Sequence, residues 1–237
     1  MNDLLSRKFL IQNNVVNNSI LFLNGCFLFE KLDRTKGILK RILLVWEEWS
    51  QFSLEDVLQE RVKMGQAWTE KELKQIIYDL MKNLILLHKN GLSHNLIRPG
   101  NVLWSEKDSI FKFSNYKHIG STYSCFDHVH FGLMQNKKFN SEEINSLLLE
   151  KKEINQEKLF KNDCHALGIM IKEMITLNDS SKIVSKFNDE ETLQMADYFI
   201  NNKISVQEIF EIFYKDYKSE KLNIQLEPFV INVKFKK

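Results

Sequence analysis

Glycine, proline and cysteine are scarce in this chain of 237 residues, which contains eight, two and three of them respectively. No Gly-x-Gly triplet occurs among the glycines, so the sequence offers no glycine-rich loop of the kind that cradles phosphate groups. The three cysteines (Cys26, Cys125 and Cys164) form no Cys-x-x-Cys pair. This argues against a disulfide framework and indicates a reducing compartment.

An excess of one charge is also lacking, because 33 lysines and arginines face 31 acidic residues, a net charge of +2. That balance gives no electrostatic reason to expect a nucleic-acid partner. No apolar run approaches the roughly 20 residues of a membrane span, and residues 1–8 are too polar for a signal peptide. We therefore expect an intracellular, cytoplasmic protein that binds neither nucleic acid nor a membrane.

The residues that are present predict a globular chain, with 43% hydrophobic and 27% charged residues. Residues 1–14 have the pattern of an amphipathic helix. Residues 19–30 and 42–49 are apolar, aromatic and β-branched, and a charged turn joins them. These two segments predict a β-hairpin.

Helical patterns dominate from residue 53 onward. Ser53 to Asp56 predicts a helix start, and Thr69 to Glu72 has the form of a capping box. The helix after Thr69 should bury one apolar stripe, which consists of Leu73, Ile76, Ile77, Leu80, Leu84 and Leu87. Short strands are predicted at 102–104 and 110–113, followed by a polar, loop-like segment at 117–150.

Later patterns complete an α+β prediction with two lobes. Residues 162–177 are apolar on most sides, as in a buried helix, and Ser205 to Glu208 is another capping box between Ile204 and Ile209. Apolar residues alternate in the tail, as in a strand, at Phe229, Ile231, Val233 and Phe235. We expect a partial small lobe at 1–49, a helical lobe at 50–215 and a strand-like tail at 216–237.

The segment at 87–103 (LHKNGLSHNLIRPGNVL) resembles the catalytic loop of protein kinases, whose pattern is H-R-D-L-K-P-x-N. His94, Pro99 and Asn101 hold the family positions, and Arg98 stands where the family has lysine. Further segments resemble other kinase regions in the family's order: residues 17–27, 44–48, 53–58, 112–117 and 163–168. The resemblance covers roughly residues 8–215 and implies a protein-kinase-like two-lobe fold with an incomplete small lobe.

Two departures from the family pattern remove the negative charges that phosphoryl transfer requires. Leu96 occupies the position of the catalytic aspartate, and Asn115 occupies that of the metal-binding D-F-G aspartate. Asn101 keeps the second metal-ligand position but is neutral. The site therefore has no carboxylate for magnesium, and we expect neither a cofactor nor a bound metal.

The start of the family domain is absent as well. The first residue lies within the helix that follows the family's glycine-rich loop and lysine strand, and Lys8 falls near the position of a glutamate. Trp46 occupies the gatekeeper position and could fill adenine space. The resemblance thus implies a degenerate, N-terminally truncated member of the family, a pseudokinase. An incomplete gene model with a missing upstream exon is a further hypothesis.

Structural positions of the family are retained. The resemblance implies that Asp163 accepts hydrogen bonds from the backbone near His94, and that Leu23 and Tyr116 stack with His94 and Asp163 between the lobes. Glu150 stands at a plausible place for the A-P-E glutamate. Arg98 could form a structural ion pair or attract phosphate. Cys125, His128 and His130 fit no zinc spacing and predict a surface loop.

The function that follows is a non-catalytic interaction or scaffold module within a larger assembly, cytoskeletal or other. An isolated hairpin is marginal as a sheet, so we expect the tail at 223–235 or a protein partner to cover the small lobe. The alternative is a divergent serine/threonine kinase or ATP-binding switch that uses Arg98, Asn101 and Asn115.

Overall fold

The described part of the chain begins with an antiparallel hairpin. The computed structural model describes residues 23–33 and 38–47 by their backbone, and beyond them residues 50, 52–119, 126–180, 190–201, 204–218 and 222. Strands β1 (Leu23–Asp33) and β2 (Ile38–Glu47) pair in a register that sets Phe27 opposite Leu44. The predicted hairpin is confirmed. Among the described residues, no third strand pairs with either of them.

Two helices with capping boxes follow the hairpin. Helix α1 (Leu54–Met64) starts at Ser53, whose hydroxyl accepts from the Asp56 N–H. Helix α2 (Glu70–Lys89) starts at Thr69 with the matching exchange. The predicted apolar stripe of α2 is confirmed, because all six of its side chains are at most 1% exposed.

A second small sheet lies after α2. A 3₁₀ turn (Pro99–Asn101) leads into β3 (Val102–Ser105), which pairs antiparallel with β4 (Ile110–Phe113), and another 3₁₀ turn follows (Tyr116–His118). Both strands had been expected at these places. Lys112 of β4 is fully buried, and its ammonium group is neutralised by Asp108 in the connecting turn.

The prediction of a loop-like segment over 117–150 is wrong for much of its length. Helices α3 (Phe126–Gln135) and α4 (Glu142–Leu149) occupy it. Their buried side chains Val129, Leu133 and Ile144 form a small separate cluster together with Leu159, which lies further along the chain. The polar residues that suggested a loop, such as Asn136 and Asn140, are instead buried and hydrogen bonded to carbonyl groups.

The last described helices complete the main hydrophobic core, to which α1, α2, β3 and β4 also contribute side chains. Helix α5 (Gln156–Ser180) contains the predicted buried segment, and α6 (Glu190–Asn201) and α7 (Val206–Tyr214) pack after it. The capping box at Ser205 is confirmed. The described part of the chain is thus α+β, with seven helices and two small two-stranded sheets.

Several expectations fall on other parts of the chain. The amphipathic helix at 1–14 and the strand pattern at 223–235 lie outside the described residues. The domain limits at 49 and 215 stay predictions. Within the described ranges, no helix combines the length and apolar character needed to cross a membrane.

Gly168 allows α5 and α6 to approach closely. A Cβ atom at this position would lie 2.7 Å from the Cβ of Phe199 and 3.0 Å from the main-chain oxygen of Ala196. We predict that Gly168→Ala lowers the free energy of unfolding by about 1–3 kcal/mol, because overpacking outweighs the better helix propensity of alanine. Urea unfolding monitored by circular dichroism measures this change. Thr176→Ala, at an exposed position of the same helix, should change stability little, and equal effects of the two substitutions would contradict the prediction.

Candidate functional site

The candidate site is the loop between α2 and β3, together with the turn after β4. The loop is almost entirely buried, since every residue from Leu92 to Ile97 is at most 1% exposed. Short backbone hydrogen bonds tie the loop to the turn, because Ser114 N–H donates to Asn101 O at 2.9 Å. Helix α5 contributes Asp163, whose carboxylate contacts the loop backbone.

The carboxylate of Asp163 holds the backbone of this loop. Its Oδ2 accepts from the N–H of His94 at 2.7 Å, and its Oδ1 accepts from the N–H of Asn95 at 2.9 Å. The Nε2 of His88 lies 3.1 Å from Oδ2 and completes the surroundings of the carboxylate. Asp163 is 1% exposed, so these donors replace the water that an ionised carboxylate needs.

His94 is locked as a neutral imidazole. Its Nε2 donates to the Ser114 carbonyl at 3.0 Å, and its Nδ1 accepts from the Leu96 N–H at 3.3 Å. Burial lowers the pKa of His94 to about 4, although the charge of Asp163 acts in the opposite direction. An imidazole with both nitrogens engaged by the backbone has no free position for proton transfer to a substrate.

Tyr116 packs against this histidine. Its hydroxyl donates to the Phe113 carbonyl at 2.6 Å, and its ring meets the His94 ring edge-on with the centroids 5.3 Å apart. Met170 and Met174 of α5 are fully buried in the same core. The side chain of Leu23 lies outside the described residues, so the proposed stack of four side chains between the lobes stays a prediction.

Asn101 and Asn115 bind each other. The Nδ2 of Asn115 donates to the Oδ1 of Asn101 at 3.1 Å, and the Nδ2 of Asn101 donates to the Leu96 carbonyl at 2.8 Å. Asn115 adopts a left-handed conformation with φ of 62°, which asparagine tolerates better than most residues. The two amides therefore form a closed neutral pair, and the side chain of Leu96 beside them is fully buried.

Charged groups are few around this pair. Arg98 is half-buried; its carbonyl oxygen accepts from the Asn101 N–H at 2.9 Å, and its guanidinium group forms no ion pair with the described residues. A side chain at Gly100 would contact the exposed carboxylate of Glu55 from α1, which therefore lies against the loop. Across the described parts of the chain, no group of three or more histidine, cysteine or acidic side chains is placed to hold a metal ion.

The other residues that the sequence analysis named either lie away from this site or are not among the described residues. Glu150 follows α4 and pairs with Lys152 at the surface. His130 lies in helix α3 rather than in the predicted surface loop, because the apolar residues of 126–135 pack as a helix. Cys125, Lys8 and the side chains of His128 and Trp46 lie outside the described residues.

Three contributing residues were missed by the sequence analysis. His88 contacts Asp163, and Asn95 contributes a backbone N–H from a left-handed conformation with φ of 63°. Glu55 had no distinguishing pattern, because an acid in the first turn of a helix is common. The Asn95 position could have been noticed, since asparagine favours this conformation.

The comparisons with known proteins find a short segment that is similar to part of a protein kinase. No protein-family model matches the chain. A segment of 55 residues, 23% of the chain, is 40% identical to Wee1-like protein kinase 2 of Gallus gallus. Part of the chain is thus similar to a protein kinase. The chain spans about a tenth of the length of this curated relative.

We predict that His94→Gln changes how stability depends on pH. The unfolded chain takes up a proton on His94 near its ordinary pKa of 6.5, whereas the folded chain resists protonation until about pH 4. The titration of His94 therefore lowers the stability of the parent as the pH falls through this window, and the variant lacks this contribution. The difference in free energy of unfolding between the parent and the variant should therefore fall by roughly 1–3 kcal/mol between pH 7 and pH 4.

Urea unfolding at several pH values measures this difference. Asp79 titrates in the same window with the opposite sign, because burial raises its pKa to about 7. Its contribution cancels in the comparison, since both proteins contain it. A difference that stays constant from pH 7 to pH 4 would contradict the assignment of a buried neutral imidazole.

Proposed function

We propose that the chain is a non-catalytic pseudokinase that acts as a protein-interaction module in a larger assembly. The observation that carries this proposal is the hydrogen bond between Asn101 and Asn115 beside the buried Leu96. In the kinase pattern, these three positions supply the metal ligands and the catalytic carboxylate. Here they supply two amides bonded to each other and an alkyl side chain.

The chemistry of magnesium supports this proposal. Mg²⁺ in phosphoryl-transfer sites is bound by one or two carboxylates together with the substrate phosphates. A neutral amide oxygen gives no compensating charge, and the Oδ1 of Asn101 already accepts from Asn115. A magnesium ion bound by this oxygen would share it with the Asn115 amide and would gain no charge neutralisation from either side chain.

The hairpin is the proposed contact with a protein partner. Strands β1 and β2 form a two-stranded sheet in the part of the chain that is described, and Phe29 pairs with Ile42 in an apolar stretch. Two strands alone are marginal in water, and an open strand edge pairs readily with another chain. A strand from a partner protein would cover this edge, which is why we place the partner there.

We predict that millimolar ATP with magnesium leaves the melting temperature of the full chain unchanged. A ligand that binds only the folded state must raise the melting temperature, so an unchanged value indicates no binding at that concentration. Magnesium alone and ATP with EDTA serve as controls. A magnesium-dependent rise of more than about 2 °C would contradict the proposal.

The segment similar to a protein kinase favours a second candidate, a divergent kinase or ATP-binding switch. In that case Glu55 is the acid that could balance the positive charge of the magnesium ion, because its carboxylate lies against Gly100, next to Asn101. If magnesium–ATP does stabilise the chain, Glu55→Gln should abolish the shift, and Glu60→Gln, in the same helix, should retain it.

We predict that charge in the hairpin weakens partner capture. The paired variant Phe27→Asp with Phe29→Asp places carboxylates in the apolar stretch and should reduce co-purified partners at least fivefold from the native cells. Quantitative mass spectrometry measures the recovery. Lys31→Glu, at a position that is already charged, is the matched control. The interaction hypothesis is wrong if the double variant recovers the same proteins in the same amounts.

A further inference from the structure

A cavity of about 500 Å³ lies between three helices. Its wall is formed by the C-terminal end of α2, the first half of α5, and the start of α7 with the residues just before it. The loop and the turn of the candidate site contribute no side chain to this wall. Sites for small organic molecules have volumes of roughly 300–1,000 Å³ and often lie between helices, so the cavity has the size of such a site.

Most of the cavity wall is apolar. Ile85, Phe160, Ile204 and Val206 contribute hydrocarbon side chains to it. Cys164 also lines the cavity, and burial raises the pKa of its thiol to about 12. The thiol is therefore uncharged and unreactive at neutral pH. An aromatic or aliphatic molecule would leave water for apolar contacts in this space, which favours binding.

The lysines and the acids of the cavity wall balance one another. Two lysines, Lys89 and Lys161, and two acids, Glu157 and Glu208, take part in the lining. Lys161 pairs with Glu157 at 2.7 Å, and the carboxylate of Glu208 accepts from the Ser205 N–H at 2.7 Å. Because the four formal charges cancel, the wall offers no excess charge to attract an ion. An uncharged molecule fits this cavity best.

His88 supplies a polar group to the same wall. Its imidazole is 11% exposed and stacks on the Phe160 ring, with the centroids 4.2 Å apart. Nε2 faces the carboxylate of Asp163 at 3.1 Å, and an ionised carboxylate can only accept, so Nε2 carries the hydrogen. In a neutral imidazole, Nδ1 is then an acceptor. It has no hydrogen-bond partner among the described residues, so a ligand can donate to it.

We propose that this cavity binds a small, uncharged aromatic molecule of the phenol or indole class, whose O–H or N–H group donates to Nδ1 of His88. The apolar wall would take the ring, and the single hydrogen bond would fix its orientation, as in other sites with few polar groups. The inference goes beyond the proposed function and holds whether or not the chain binds a protein partner. The ligand would reach the loop of the candidate site only through His88 and Asp163.

Isothermal titration calorimetry of the full chain with indole and with benzofuran tests the proposal. The two molecules have nearly the same shape, but only indole has an N–H donor. Indole should have a dissociation constant at least about threefold lower, because one hydrogen bond changes affinity by a factor of this order. Phenol and fluorobenzene form a second pair. Equal affinities within both pairs, or no binding of indole and phenol at millimolar concentration, would overturn the proposal.

A pair of tryptophan substitutions locates the bound molecule. Ile204→Trp enlarges a side chain of the cavity wall and should weaken indole binding at least about tenfold, because the added ring occupies the same space. Ile212→Trp places the same side chain at a position of α7 that is 58% exposed, and it should leave the affinity unchanged. Undiminished binding of indole to Ile204→Trp would place the molecule elsewhere and would overturn the proposal.

The ¹⁵N chemical shift of His88 Nδ1 gives a measurement on the parent, which remains useful if Ile204→Trp fails to fold. Indole should move this signal upfield because Nδ1 then accepts a hydrogen bond, whereas benzofuran should not. A signal that saturating indole leaves in place would contradict the assigned role of His88.

Discussion

A single buried carboxylate organises the candidate site. Asp163 accepts the backbone N–H groups of His94 and Asn95, so the position of the loop is fixed from α5 rather than by the loop's own short-range structure. An ionised carboxylate in the interior is tolerated only when donors surround it. Because those donors are backbone groups, the requirement constrains the path of the chain more than the identity of the loop residues.

The same arrangement holds the loop in place without charged side chains at 96 and 115. The hydrogen bonds that hold the loop pass through Asp163, His94 and main-chain atoms, and none of them needs a charge at 96 or 115. The asparagines at 101 and 115 add a hydrogen bond between the loop and the turn after β4. The hydrogen bonds that fix the shape of the loop therefore do not depend on the charge of its side chains. Our proposed function rests on this independence.

Buried polar groups elsewhere in the described residues also have hydrogen-bonding or charged partners, which come from different parts of the chain. Lys112 is neutralised within its own hairpin by Asp108, and Asn162 donates to Asn140 beneath the small cluster of α3 and α4. On α2, Gln75 donates to Asp79 Oδ1, whereas Asp79 Oδ2 and Asn83 Oδ1 lack a hydrogen-bond partner among the described residues.

Local patterns determined much of the secondary structure. The capping boxes at Ser53, Thr69 and Ser205 and the apolar stripe of α2 are short-range features, because a cap and a helical face depend on residues three or four apart. Helices α3 and α4 could not be predicted in this way. Half of the residues in each of these helices are apolar, but those that are buried form a core only together with Leu159 of α5.

The sequence by itself determined the residue types of the site: a histidine, two asparagines and a leucine, with Leu96 and Asn115 at the two positions where the kinase pattern has aspartate. Only the tertiary structure decided what those residues do. It joined Asn101 to Asn115 across fourteen positions and brought Asp163 to His94 across sixty-nine. It also set Glu55 against Gly100. Such contacts depend on how α1, α2 and α5 pack around the loop, and no pattern confined to one segment encodes that packing.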